Sequence, residues 1–102
     1  MVKNRMSLHK ILEEIPGVAK VYFSPPPNKD MVYPCIVYSL DRIPTRYADN
    51  KPYFQSKTYS LMLIDYDPDS EIVEKILELP MCRFDRSFVS DGLNHFAFTI
   101  TH

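Results

Sequence analysis

The spacing of apolar residues along the chain predicts two helices. Near the start of the chain, apolar side chains recur at the i, i+3, i+4, i+7 interval of one helical face, which predicts a helix over residues 4–15. A similar stripe predicts a second helix over residues 68–79, which Pro80 ends because proline lacks the N–H that a continuing helix needs. The two stripes are formed by Leu8, Ile11, Leu12 and Ile15, and by Ile72, Val73, Ile76 and Leu77.

Segments rich in β-branched and aromatic residues predict five strands. The Asp91-Gly92 pair predicts a two-residue hairpin turn between the last two of them. In the last strand, strict alternation predicts that Phe96, Phe98 and Ile100 point inward. The predicted strands cover residues 18–24, 35–43, 54–65, 82–90 and 93–101.

Alternation also assigns two faces to strand 82–90. It predicts that Cys82, Phe84 and Phe88 share one face, and that Arg83 and Asp85 share the other. This strand is therefore expected to bury an apolar face and expose a charged one.

The order of these elements, α-β-β-β-α-β-β, predicts the fold class. Runs of strands separated by isolated helices are typical of α+β proteins, so we expect a mostly antiparallel sheet of about five strands with two helices packed on it. The 102 residues fit one domain, 1–102, and the 45% hydrophobic content supplies its core.

The distribution of charge is uneven, although the net charge is only −1. Residues 1–51 carry eight Lys/Arg and five Asp/Glu, whereas residues 52–102 carry four and eight. Near-neutrality argues against a dedicated nucleic-acid binder, and surfaces of opposite sign suit self-association. No apolar run reaches the length of a membrane span or resembles a signal peptide, so the sequence predicts a protein that is soluble when made in the cytoplasm.

Cofactor and metal chemistry have no sequence support. Cys35 and Cys82 stand alone in apolar segments without the spacing of a zinc site, which predicts buried free thiols. The chain has only two glycines, Gly17 and Gly92, too few for a phosphate-binding loop. We therefore expect no cofactor and no resident metal.

The stretch D65-Y-D-P-D-S-E71 holds the densest cluster of acidic residues. As a calcium-binding EF-hand loop it fails, because position six is Ser70 rather than glycine and position twelve is Ile76 rather than glutamate. As a helix start it fits, with Asp67 as N-cap, Pro68 in the first helical position and carboxylates in the first turn. The second interpretation is favoured.

No arrangement typical of a catalytic site is present, so the chain is expected not to be an enzyme. A site assembled only by folding, from His95, Asp85 or Asp91, is the enzymatic alternative. A small monomeric or dimeric binding module is a further alternative.

Five short segments, in this order, carry a resemblance to a known family. The chain resembles the small tail terminator proteins of long-tailed bacteriophages, also called tail completion or head–tail joining proteins. The likeness covers nearly the whole chain and depends on element order and on the proline-bearing second strand. The segments are I15-P-G17, V21-Y-F23, Y33-P-C-I-V-Y38, L61-M-L-I-D-Y66 and F96-A-F-T-I100.

The resemblance implies a structural virion protein with an α+β fold. Members of the family form a hexameric ring on the head-proximal end of the tail tube, stop tube polymerisation and join the tail to the neck. The implied partners are therefore further copies of the chain, the tail tube protein and the head or neck connector proteins. DNA passes only through the ring lumen. A related neck or connector component is the alternative to a tail terminator.

Two surfaces are candidates for these roles. The connection over residues 44–53 is long for a hairpin loop, and with its flanks it is expected to contact a neighbouring subunit or the tube. The acidic second helix is expected to face the lumen, where it would repel DNA phosphates. Ordinary solvent-exposed segments are the alternative for both. The residues are Arg42, Arg46, Tyr47 and Tyr53 for the connection, and Asp69, Glu71, Glu74 and Glu78 for the helix.

Overall fold

The computed structural model describes residues 5–24, 32–43, 46–48, 51–53 and 57–102, and of residues 46–48 and 51–53 it describes the backbone. The helices are α1, Arg5–Glu13, and α2, Ile72–Leu77. The strands are β1, Lys20–Phe23; β2, Cys35–Arg42; β3, Arg46–Ala48; β4, Lys51–Tyr53; β5, Thr58–Asp65; β6, Cys82–Ser90; and β7, Leu93–Thr101.

Five of the strands form one mixed sheet in the order β1-β2-β5-β7-β6. Strand β1 runs parallel to β2, and every other neighbouring pair in this sheet is antiparallel. With two helices beside a mostly antiparallel sheet of five strands, the predicted α+β class and element order are confirmed.

Strands β3 and β4 form a second, two-stranded antiparallel sheet. They lie within the connection 44–53, which the sequence predicts as a loop, so that prediction is wrong for these six residues. The strand predicted over 54–65 begins at Thr58 in the main sheet. Residues 54–56 lie outside the described part of the structure.

The hydrophobic core lies between the helices and one face of the five-stranded sheet. Alternate residues of β2, β5 and β7 point into it, in register across three strands: Ile36 opposite Leu63 opposite Phe96 is one such row. The predicted inward direction of Phe96, Phe98 and Ile100 is confirmed. The core is formed by Leu8, Leu12, Ile15, Val21, Ile36, Tyr38, Tyr59, Leu61, Leu63, Ile72, Ile76, Phe96, Phe98 and Ile100.

The opposite face of this sheet carries both apolar and polar side chains at its centre. Adjacent rows place Val37 beside Met62, and Ser39 beside Ser60, on the side away from the core. A shallow groove of about 320 Å³ lies here and extends to Asp85 on β6. Within the described residues the sheet thus has a face covered by helices and an open face.

The last two strands form the predicted hairpin. Asp91 and Gly92 both have positive φ, 54° and 76°, as the two central residues of a type I′ turn require. Ser90 and Leu93 bracket the turn.

A β-bulge in β6 alters which side chains share a face. The register shifts between Phe84 and Arg86, so Asp85 is an extra residue and the alternation is inverted beyond it. Phe88 therefore lies on the open face opposite His95, with their rings stacked at 4.9 Å, rather than beside Phe84. Cys82 and Phe84 share a face as predicted, opposite Ile100 and Phe98, but the prediction that Phe88 joins them is wrong for this reason.

Candidate assembly surfaces

Strand β6 forms an open edge of the main sheet. It pairs with β7 on one side, and the strand order of the described residues places no strand on its other side. Every residue from Arg83 to Ser90 is exposed, including the large apolar side chains Phe84, Phe88 and Val89. An edge of this kind presents unpaired backbone N–H and C=O groups, which template the addition of another strand. We call this surface the β6 edge.

The first half of the β6 edge is irregular and charged. At the bulge, Arg83 Nε donates to Asp85 Oδ1 at 3.3 Å, and the Thr99 hydroxyl donates to the other Asp85 oxygen. Bulges and charges of this kind discourage strand addition. The regular acceptor is therefore the five-residue segment Arg86–Ser90.

The β3–β4 hairpin is the second candidate surface, and it contains three of the four predicted interface residues. The side chains of Arg46, Tyr47 and Tyr53 lie outside the described part of the structure, so their predicted contacts stay predictions. Arg42 is exposed at the end of β2, opposite Thr58. It therefore lies where the chain leaves the main sheet toward the hairpin.

The acidic stretch forms successive turns rather than a capped helix start. Asp65 Oδ1 accepts from the Asp67 N–H at 3.2 Å, and Asp67 Oδ1 accepts from the Asp69 N–H at 2.9 Å. Helix α2 begins only at Ile72, and its N-cap residue, Glu71, makes no side-chain capping bond. The prediction of Asp67 as N-cap is wrong because its carboxylate closes a local turn instead.

The four carboxylates predicted to face the lumen form an exposed acidic surface. Asp69, Glu71, Glu74 and Glu78 are all exposed. The one lysine within α2, Lys75, donates through Nζ to the Pro16 carbonyl at 3.3 Å, which directs its ammonium toward the α1–β1 connection. We call these four carboxylates the acidic face.

A polar cluster beneath α1 was not predicted. The Tyr38 hydroxyl is bonded to His9 Nδ1 at 2.7 Å and accepts from Arg5 Nη1 at 3.4 Å. His9 also approaches the Glu13 carboxylate, at 3.6 Å, and the Arg5 guanidinium lies 4.4 Å from the Phe23 ring centroid. The i, i+4 spacing of His9 and Glu13 is visible in the sequence, but their proximity to Tyr38 arises only on folding.

This cluster has the geometry of an anchor rather than of a reaction site. Tyr38 is 1% exposed, so a substrate has no access to its hydroxyl. Burial raises the pKa of Tyr38 above its ordinary value, and the Arg5 guanidinium partly offsets that effect. The neutral hydroxyl therefore serves to fix α1 against β2.

The residues of the enzymatic alternative make separate contacts in the structure. His95 Nδ1 lies 3.1 Å from the Leu93 carbonyl, and its ring stacks on Phe88. Asp85 contacts Thr99, four residues further along β7, which is about 13 Å away at the usual rise of a strand. Asp91 lies in the exposed turn.

Two further features are absent from the described ranges, a metal-binding cluster and a membrane-spanning helix. No group of three or more His, Cys, Asp and Glu residues there is placed to hold a metal ion. Neither described helix is long and apolar enough to cross a membrane.

Comparison with protein-family models, with curated proteins and with solved structures gives no match for this chain. Functional inference therefore depends on the surfaces of the molecule itself.

Both cysteines are free, Cys35 buried and Cys82 half-buried. Burial raises the pKa of each thiol to about 11 from the ordinary value of 9.0. Only the thiolate reacts, so a pKa higher by about two units makes labelling near pH 8 roughly 100-fold slower than for an ordinary thiol.

We expect the maleimide labelling rate of the native protein to be slow at pH 8 and to rise about tenfold per pH unit up to pH 10, measured by intact mass spectrometry. The urea-unfolded chain is the control and should label at the ordinary rate. Rapid labelling of native Cys82 at pH 8 would contradict the assigned environment.

Proposed function

We propose that this chain is a structural assembly protein that joins with copies of itself into a ring, as the tail terminators that it resembles do at the end of a phage tail tube. The observation that carries the proposal is the β6 edge, an exposed nine-residue strand with apolar side chains at the end of the sheet. In this proposal the protein is a non-enzymatic virion component. Its further partners are the tail tube and the neck.

Addition of a strand to the β6 edge would supply the free energy of contact between copies. Each added residue pair satisfies backbone groups that otherwise bond only to water, and side chains on alternate positions supply apolar contact. Phe88 and Val89 are the exposed apolar groups of the regular segment Arg86–Ser90 available for it. Exposed apolar side chains on an unpaired edge are an aggregation hazard unless a partner covers them, which favours an assembly role.

A ring requires a head-to-tail contact between copies. Such a contact brings two different patches together, and it closes into a ring when the rotation between copies permits. The β6 edge supplies one of the two patches and leaves the acidic face, which lies on the α2 side, available for another role.

Within the ring, the acidic face is proposed to line the lumen. Carboxylates repel the phosphates of passing DNA, so the duplex slides without binding. The exposure of Asp69, Glu71, Glu74 and Glu78 supports this assignment.

Replacing Val89, which is 69% exposed, with lysine should abolish rings in negative-stain electron microscopy of the purified protein. A charged side chain on the edge blocks strand addition and leaves the monomer folded. Val32→Lys is the matched control, since Val32 is 58% exposed at a site before β2. Rings formed by Val89→Lys as abundantly as by the native chain would refute the role of the β6 edge.

Replacing the four residues of the acidic face with lysine should create affinity for duplex DNA that falls steeply with salt, measured by fluorescence anisotropy. The corresponding Asn and Gln replacements remove the charge without reversing it, and they should show weak binding. Duplex binding by the native protein as tight as by the lysine variant would contradict the lumen assignment.

A further inference from the structure

Within the described residues, no third strand pairs with the β3–β4 hairpin. It is a separate two-stranded sheet with three residues in each strand. An isolated hairpin of this kind is marginal in water, and a third strand is what usually stabilises it. Within the described residues, the hairpin therefore has backbone groups that no further strand pairs with, and the β6 edge does too.

The position of proline shows which strand of the hairpin can pair with the edge of another sheet. Ala48 and Lys51 face each other across two intervening residues and so form a hydrogen-bonded pair. The next pair, Tyr47 and Pro52, then directs its backbone groups away from the hairpin, because the two kinds of pair alternate. Pro52 has no N–H to offer, whereas Tyr47 offers both N–H and C=O. Strand β3 is thus the competent edge.

The same alternation identifies the acceptor groups on β6. Ser90 and Leu93 bracket a two-residue turn and form a hydrogen-bonded pair, so Val89 and Ser87 direct their N–H and C=O groups outward. Both lie in the regular segment Arg86–Ser90, beyond the bulge. Five residues accommodate the three of β3.

The hairpin cannot reach this segment within its own chain. Arg42 pairs with Thr58 and Thr58 with Thr101, whereas Ser87 pairs with Phe96. Three strand spacings and five residues along β7 separate Arg42 from Ser87, about 22 Å. The three residues between Arg42 and β3 span at most about 14 Å. A β3–β4 hairpin that adds to this segment must therefore come from another molecule.

We propose that β3 of one copy adds to segment Arg86–Ser90 of the next copy, so that the hairpin extends the neighbour's five-stranded sheet to seven strands. This inference rests on the proposed self-assembly and specifies its contact. The contact is head-to-tail, because each copy donates a hairpin at one place and accepts one at another.

Two proline variants separate donor from acceptor. Ser87→Pro removes an outward N–H from β6 while leaving its bonds to β7, and Tyr47→Pro does the same to the outer edge of β3. Each variant alone should lose every species above the 12.0 kDa monomer in native mass spectrometry. Mixed together, with one isotope-labelled, they should form a one-to-one dimer and nothing larger, since one intact donor meets one intact acceptor.

Ser87→Ala and Tyr47→Ala are the matched controls, because they keep the N–H groups and should assemble as the native chain does. Val89→Pro offers a second acceptor block if Ser87→Pro does not fold, as judged by far-ultraviolet circular dichroism. It should behave as Ser87→Pro does in the mixture.

Other outcomes discriminate between the two proposals. If the native chain assembles and both proline variants assemble equally well, the hairpin contact is refuted and self-assembly stands. If Tyr47→Pro alone forms dimers, two β6 edges pair with each other and the hairpin is not the donor. If the native chain and the mixture are monomeric throughout, both proposals are refuted.

Discussion

The rest of the structure depends on one constraint: the backbone N–H and C=O groups at the edge of a sheet need hydrogen-bonding partners. Each interior strand of the main sheet forms backbone hydrogen bonds with a neighbouring strand on both sides, and the core face of the sheet is buried under α1 and α2. At β6 the pairing stops, although the strand is nine residues long and carries exposed aromatic and aliphatic side chains. The β3–β4 hairpin has the same deficiency on a smaller scale. A second copy of the chain can remove both at once.

Much of the fold was predictable because it depends on local chemistry. The Asp91-Gly92 turn follows from the tolerance of these residues for positive φ, and the inward direction of Phe96, Phe98 and Ile100 follows from strand alternation. Of the two apolar helical stripes, Leu8 and Leu12 in α1 and Ile72 and Ile76 in α2 are buried, whereas Ile11 and Leu77 are exposed.

The failures have specific physical causes. The bulge at Asp85 inverts the faces of β6, and one extra residue of this kind leaves no trace in an alternating pattern. The parallel pairing of β1 with β2 was not among the predictions, because strand propensity does not encode such a long-range choice. Asp67 is of a residue type that commonly serves as an N-cap. Its carboxylate instead accepts a hydrogen bond from the N–H of Asp69, two residues ahead, and the helix begins later.

Some of the candidate surfaces were likewise predictable from the sequence, and others were not. The connection 44–53 was identifiable as a candidate partner site from its excess length, and the acidic face as a candidate surface from its charge. The β6 edge was not, because edge position depends on strand order, and strand order is fixed only when β7 inserts between β5 and β6. The cluster of Arg5, His9 and Tyr38 likewise needs the packing of α1 on β2.

Self-association is the central claim, and the solution mass of the native chain tests it most directly. Light-scattering chromatography over a concentration series should show the mass rising from 12.0 kDa toward that of a closed ring, about six copies if the resemblance to tail terminators holds. A mass that stays at 12.0 kDa at every concentration, or that stops at two copies, would contradict the account.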